Sequence, residues 1–359
     1  MSLGSPVTGI EWPVVPNYRQ ACLMALRRFF DEIQAWPNDR LTAHQLSQAG
    51  LLLLHHTQAS PFTRKRLKRY KLSRDGQITL KEFRNLPLIS IADIELAGDA
   101  LFSTEIPNEH GNRIGWPFPD RSGGEHSIRY TEVGPLIRRA LWQRNCSRYG
   151  LDPNLRFVVA MPAGKDGLNL SLDVGIETEE KFFMGGIFPR PGSRKDLSNP
   201  RIDTAHTLKG APALVVGHTS DLINLAEATD GAGIQRENVR SIFVLDGALD
   251  PTRRSIIEKY WGAPVYLVPY IPFFGCIAMA CAKYGRHHIH AENFLLEILD
   301  EEGQPAPLGN FGRLVITDLQ NFAMPLIRYD TGEKAALDVG CECGLGLPVI
   351  RLADKNLQC

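Results

Sequence analysis

A chain of 359 residues, 43% hydrophobic and 22% charged, is long enough for one large domain or two ordinary ones with a sizeable core. Forty Lys and Arg balance forty Asp and Glu, so no global field favours nucleic acid or an anionic membrane as partner. No apolar run approaches the ~20 residues of a membrane span, and the seven cysteines (22, 146, 276, 281, 341, 343 and 359) are too irregularly spread for a secreted disulfide framework, so a cytoplasmic protein is expected.

Residues 17–56 read as two helices, since Ala21, Leu23, Met24, Leu26, Phe29, Phe30 and Ile33 recur at helical spacing, as do Leu46 and Leu51 to Leu54. Ser60-Pro61-Phe62 breaks the pattern, and a basic helix follows to about Tyr70. Its Arg64-Lys65-Arg66-Leu67-Lys68-Arg69 run is read as a solvated face, because acidic residues return soon after. Pro107 and Trp116-Pro117-Phe118-Pro119 mark a loop region. Residues 1–115 are therefore expected as a helical N-terminal region packed on an α/β domain of residues 116–355, the two forming one unit.

From about residue 155 short apolar strands alternate with helical patterns. The strands are expected at Arg156–Met161, Ala213–Val216, Ser241–Leu245, Val265–Val268 and Arg313–Thr317, with helices at Ser220–Ala228 and Pro251–Trp261. Asp250-Pro251 supplies an N-cap and a first-turn proline to the second helix. Such alternation argues for parallel βαβ units with ligands at the carboxyl ends of the strands.

The most specific segment is late. Gly312-Arg313-Leu314-Val315-Ile316-Thr317-Asp318-Leu319 is followed by Met324-Pro325-Leu326-Ile327-Arg328-Tyr329-Asp330-Thr331-Gly332-Glu333. It resembles a motif of the phenylacetate–coenzyme A ligases, a branch of the adenylate-forming superfamily, in which the closing acid binds both ribose hydroxyls of ATP. A carboxylate can accept two hydrogen bonds from a cis-diol, and Glu333 stands where the family has Asp. Arg328 precedes it as a cation for that carboxylate or for a phosphate, and it is a catalytic candidate.

Weaker stretches are similar to the family in the same order. Ser60-Pro61-Phe62, Arg66-Leu67 and Leu86-Pro87-Leu88-Ile89 resemble its N-terminal region. Phe183-Met184-Gly185-Gly186-Ile187 resembles the segment beside the acyl pocket, which implies Phe183, Gly185 and Gly186 as lining. Gly217-His218-Thr219-Ser220 takes the place of a turn that opens a helix; His218 would line the acyl pocket and is the second catalytic candidate. Asp246-Gly247-Ala248-Leu249-Asp250-Pro251 stands at the strand-end turn whose backbone approaches adenine, implying Asp246, Gly247 and Ala248 as nucleotide contacts.

Three departures accompany the resemblance. The phosphate loop is reduced to Arg121-Ser122-Gly123-Gly124-Glu125-His126, one hydroxyl and no cation of the usual kind, so Ser122, Gly123 and Gly124 are left to wrap the phosphates. Either the loop is truly short, or residues of a longer one are missing from the run. Between Glu258 and Glu292 there is no acid, where the family has a magnesium-holding Glu, and Pro269 or Tyr270 takes the place of its adenine-stacking aromatic. The run ends at Cys359 just past Pro348–Lys355, which looks like the approach to a hinge, so the family's small C-terminal domain with its catalytic lysine is expected to be absent.

Cys281, His288, Cys341 and Cys343 form a Cys₃His set suited to a closed tetrahedral zinc site. The same residues occur in this branch of the family, and buried free thiols are the alternative. The resemblance implies the large domain of the adenylate-forming fold, layered β-sheets with helices. It also implies ATP-dependent conversion of an aromatic carboxylic acid to an acyl-AMP, with ATP or AMP, Mg²⁺ and a structural Zn²⁺ as cofactors. Chains lacking the small domain also resemble the adenylating protein of phenazine-antibiotic biosynthesis, whose product would pass to a separate reductase or acyl carrier protein. A non-catalytic binder of nucleotide or aromatic acid, a coenzyme A ligase that borrows a second chain, and a homodimer stay open.

Overall fold

The computed structural model describes residues 18–70, 72–119, 125–152, 155–160, 213–228, 236–246, 249–271, 273–281 and 286–353. The N-terminal part is helical: α1 (Tyr18–Ile33), α2 (Asn38–Ala59), α3 (Pro61–Leu67), α4 (Leu80–Arg84) and α5 (Ile91–Ala97). The helix starts are written locally. Ser60 Oγ accepts from Thr63 N at 3.2 Å ahead of Pro61 at the first turn of α3, and Thr79 with Glu82 and Ser90 with Asp93 form reciprocal capping boxes for α4 and α5.

β1 (Arg113–Pro119) and β2 (Glu125–Thr131) then pair antiparallel as a hairpin. The expected loop at Trp116–Pro119 is thus a strand, and the expected 115/116 boundary falls inside it. A two-stranded ribbon consists only of edges, where a proline's missing N–H need not break a ladder. Glu125 and His126, expected in the phosphate loop, open β2, so only residues 120–124 join the two strands.

α6 (Val133–Tyr149) follows, closed by Gly150 in the left-handed region at φ +68°. Next comes a parallel sheet of β3 (Arg156–Ala160), β4 (Ala213–Gly217), β5 (Val239–Val244) and β6 (Val265–Leu267), in that order. α7 (Thr219–Ala228) and α8 (Pro251–Trp261) fall between its strands. β4, β5 and β6 are buried on both faces, hence their near-continuous apolar runs. Val215, Ile242, Val244 and Val265 pack with Leu222, Ile257 and Trp261 of α7 and α8. The alternate residues Leu214, Val216 and Phe243 pack with Trp142 and Cys146 of α6.

A short hairpin, β7 (Tyr270–Ile271) and β8 (Gly275–Cys276), leads into a six-stranded antiparallel sheet. Its strands are β9 (Ala278–Ala280), β10 (His287–Ile289), β11 (Phe294–Leu299), β12 (Gly312–Asp318), β13 (Tyr329–Asp338) and β14 (Val349–Leu352), in the order β11-β12-β13-β14-β10-β9. Arg313–Thr317, expected as another parallel strand, belongs to β12 here: no helix precedes it, and a hairpin pairs it with β11. The other face of α6, through Ile137, Ala140 and Leu141, joins the core of this sheet with Phe30, Phe274, Phe294, Leu314 and Ile316. α6 thus contributes to the cores of both sheets.

Candidate functional site

The carboxyl ends of three parallel strands open onto a cavity of about 40 Å³. Val216 lies near the end of β4, Leu245 follows β5 and Val268 follows β6, and all three line it. α6 supplies Arg138, Leu141, Trp142, Asn145 and Tyr149, which at helical spacing form one stripe. Phe274, His290, Asn293 and Phe294 close the far wall. A crevice outside the carboxyl ends of strands is where open α/β sheets bind ligands. Burial, then the Arg144 charge, holds His290 down to about 3, so its ring is neutral at physiological pH.

On the same strand ends sit His218 and Asp246. Nδ1 of His218 lies 2.8 Å from Oδ1 of Asp246, and the Thr219 backbone N–H donates to Oδ2 at 2.8 Å, with the Thr219 hydroxyl on the same oxygen. Burial acts to raise the Asp246 carboxyl, but the hydrogen bonds from His218 and Thr219 outweigh it and hold the group below the usual carboxylate range. Asp246, expected as a nucleotide contact, orients His218 and the start of α7 with both oxygens. Gly247 and Ala248 beside it lie outside the described residues, as do Ser122, Gly123, Gly124, Phe183, Gly185 and Gly186. Tyr270 is half-buried against the Trp142–Phe243 cluster.

Glu333 stands on a bulge. Val315 pairs with Asp330 and Arg313 with Lys334, so Thr331, Gly332 and Glu333 oppose Leu314 alone. Gly332 has φ +71°, a conformation few other residues adopt, and Thr331 Oγ1 accepts from Glu333 N at 3.1 Å while donating to Leu314 O at 2.8 Å. This fixes the backbone that presents a half-buried Glu333. Arg328 differs from expectation. Its guanidinium is buried, with Nε 2.8 Å and Nη2 3.1 Å from the two oxygens of Glu297, and Nη1 donates to the Arg84 and Leu86 carbonyls. Its φ of +52° is held by its N–H on Thr317 Oγ1 at 2.9 Å. A guanidinium so engaged ties the N-terminal region to the sheet and does not pair Glu333.

The four expected metal ligands come together: one ligand atom from each of Cys281, His288, Cys341 and Cys343 lies within 4.8 Å of all the others. Cys341 Sγ is 3.7 Å from Cys281 Sγ, and Cys343 Sγ is 3.2 Å from His288 Nε2. Ligand separations near 3.5–4 Å are what tetrahedral Zn–S and Zn–N bonds of about 2.3 and 2.0 Å give. His288 Nδ1 faces Leu347 O at 3.4 Å, which directs Nε2 to the cluster, and burial lowers its affinity for a proton. Burial first, and the neighbouring thiols, raise Cys341 to about 11. The donor set fits a soft divalent cation, which would draw those thiols into the thiolate form.

Sequence reasoning missed α6 and with it Asn145 and Arg138. The Arg138, Leu141, Trp142, Asn145 and Tyr149 spacing, ending at Gly150, was the available signal.

No sequence-family profile matches the chain. A phenylacetate–coenzyme A ligase of Thermus thermophilus is 46% identical over 322 residues, 87% of this chain and 69% of that protein. A 2-hydroxyisobutyryl-CoA ligase solved with 2-HIB-AMP and CoA in the thioesterification state superposes with TM-score 0.66 at 17% identity, covering 90% of this chain and 69% of the other. An open conformation of that ligase gives 0.65 at 18% identity, over 90% and 75%.

Proposed function

The chain belongs to the phenylacetate–coenzyme A ligase family and has the adenylate-forming fold, and from that premise we propose that it activates a carboxylic acid with ATP to an acyl-AMP. The observation that carries this is the cavity at the carboxyl ends of β4, β5 and β6, with His218 directly following β4. The acid's carboxylate oxygen attacks the α-phosphorus, the bond to the bridging oxygen breaks, and pyrophosphate leaves. Catalysis of such a transfer is largely positioning and charge stabilisation.

In this scheme Glu333 holds the ribose diol, the backbone at Gly247 and Ala248 meets the adenine edge, and Ser122, Gly123 and Gly124 face the phosphates. Phe183, Gly185, Gly186, His218 and Tyr270 border the acid, and Asp246 fixes the His218 ring. An aromatic acid suits the Trp142, Phe243, Phe274 and Phe294 walls. The stretch from Val265 to Gly275 has no carboxylate to hold a divalent cation, so no step is routed through magnesium. That lack also favours a second reading, nucleotide or acid binding without turnover. Cys281, His288, Cys341 and Cys343 would hold zinc as a cross-link that takes no part in the chemistry. The adenylate would pass to an acceptor on another protein, a reductase or acyl carrier, with phenazine carboxylates among the acids to test.

ATP–pyrophosphate exchange with a panel of aromatic acids is the test. Acid-dependent exchange is expected. Tight AMP binding without exchange for any acid would leave only the binder. Coenzyme A consumption by the chain alone would instead make it a complete ligase.

A further inference from the structure

One wall of the cavity contains a polar relay. His290 is 3% exposed, and its Nδ1 lies 3.0 Å from the carbonyl oxygen of Cys276. A carbonyl can only accept, so Nδ1 carries the ring's proton and Nε2 is an acceptor. Asn145 Nδ2, 3.2 Å from Nε2, must then donate to it. The amide orientation is thereby set, because turning it over would place Oδ1 against the Nε2 lone pair. What remains is Asn145 Oδ1. The residue is 8% exposed, and this oxygen has no hydrogen-bond partner among the described residues. Proteins keep few buried acceptors unanswered, and this one belongs to a residue lining a cavity whose walls include Trp142, Phe243, Phe274 and Phe294 beside the polar Arg138, Tyr149, His290 and Asn293.

A ligand entering that space either brings a donor to Oδ1 or leaves it desolvated, and the second is penalised. At about 40 Å³ the cavity takes the substituted edge of one ring, being only a few times the ~10–15 Å³ that one water needs by the same measure. Under the adenylation reading, on which this rests, the acid's carboxyl points toward the nucleotide, so a substituent read in the wall is on the ring's remote side.

We propose that Asn145 is a specificity-determining residue that selects a single-ring aromatic acid bearing a hydroxyl or amino group away from its carboxyl. Asn145 Oδ1 accepts the donor's hydrogen bond; His290 and the Cys276 carbonyl hold the amide in the accepting orientation. A site built to hydrogen-bond a substrate hydroxyl rejects the methyl analogue far more strongly than an apolar pocket rejects one extra methylene.

The test is calorimetric titration of the whole chain with 4-hydroxyphenylacetate, 4-aminophenylacetate and 4-methylphenylacetate, near-isosteric probes. Wild type is expected to bind the two donors at least about tenfold more tightly than the methyl acid, and Asn145→Leu to erase or invert that ratio. Equal affinities in the wild type, no binding of either donor acid, or an unchanged ratio in a folded Asn145→Leu would overturn the assignment. The wild-type ratio alone decides the matter if the variant does not fold. Pyrophosphate exchange is run beside it: donor-selective binding without exchange sinks adenylation and leaves this site standing, whereas exchange without donor preference does the reverse.

Discussion

Arg328 and Glu333 come from one motif yet serve different ends. Arg328 meets Glu297 with both in the core, so Arg328→Ala strands a buried carboxylate. The expected cost is about 3–5 kcal/mol of unfolding free energy, read as a lower urea midpoint. Wild-type stability in that variant would show the pair to be dispensable. His56 is a second buried residue with a measurable signature. Its Nδ1 lies 2.9 Å from Ser103 Oγ and its Nε2 2.9 Å from Asn321 O, and burial, then the neighbouring His55, depresses it to about 3. The folded state therefore binds its proton later than the unfolded chain does. The neutral ring's contribution is intact above pH ~6.5 and is lost as pH falls from there toward 3, by about 1.4 kcal/mol per pH unit. His56→Gln is expected to lower stability at pH 7 but to flatten this acid slope by close to one proton between pH 6 and 4. Parallel slopes for variant and wild type would refute the assignment.

Among the elements, those with local signals were legible in the sequence. α8 begins at Pro251 behind Asp250, as its capping residues dictate, and β4, β5 and β6 lie where the short apolar runs stand. The strands β9, β10 and β14 are three or four residues long, too short for a period, and become strands only through their neighbours. β1 was hidden by its prolines, and α6 by a basic stripe whose buried members, Arg138 and Arg144, face protein and not water. The Cys₃His set was readable as chemistry, but its topology was not: it ties the turn before β10 to the turn between β13 and β14, and not to a helix. If zinc closes that cluster, elemental analysis finds one ion per chain and chelation lowers the melting temperature by at least about 5 °C. Cys343→Ser should lose the ion. A metal-free chain that melts at the same temperature with or without chelator would contradict the site.

At the scale of the whole molecule, a parallel sheet and an antiparallel sheet share α6, which adds Trp142 and Cys146 to one core and Ile137 and Leu141 to the other. The site lies where that sharing leaves the strand ends β4 to β6 uncovered by their own helices, and Glu333 is presented from the antiparallel sheet on a bulge rather than from the cavity lining. Acid and nucleotide would accordingly be held by different layers. Family order along the chain pointed to Glu333 as the sugar contact; the relay through His290 and Asn145 needed three-dimensional placement, because its members are 145 residues apart.

The proposed adenylation needs an adenosine nucleotide held by the carboxylate at 333, so the deciding measurement is an AMP titration of wild type and Glu333→Ala by calorimetry. Loss of a charge-assisted pair of hydrogen bonds predicts at least about tenfold weaker binding by a variant that still folds. The same dissociation constant for both proteins, or no AMP binding by the wild type, would contradict the account.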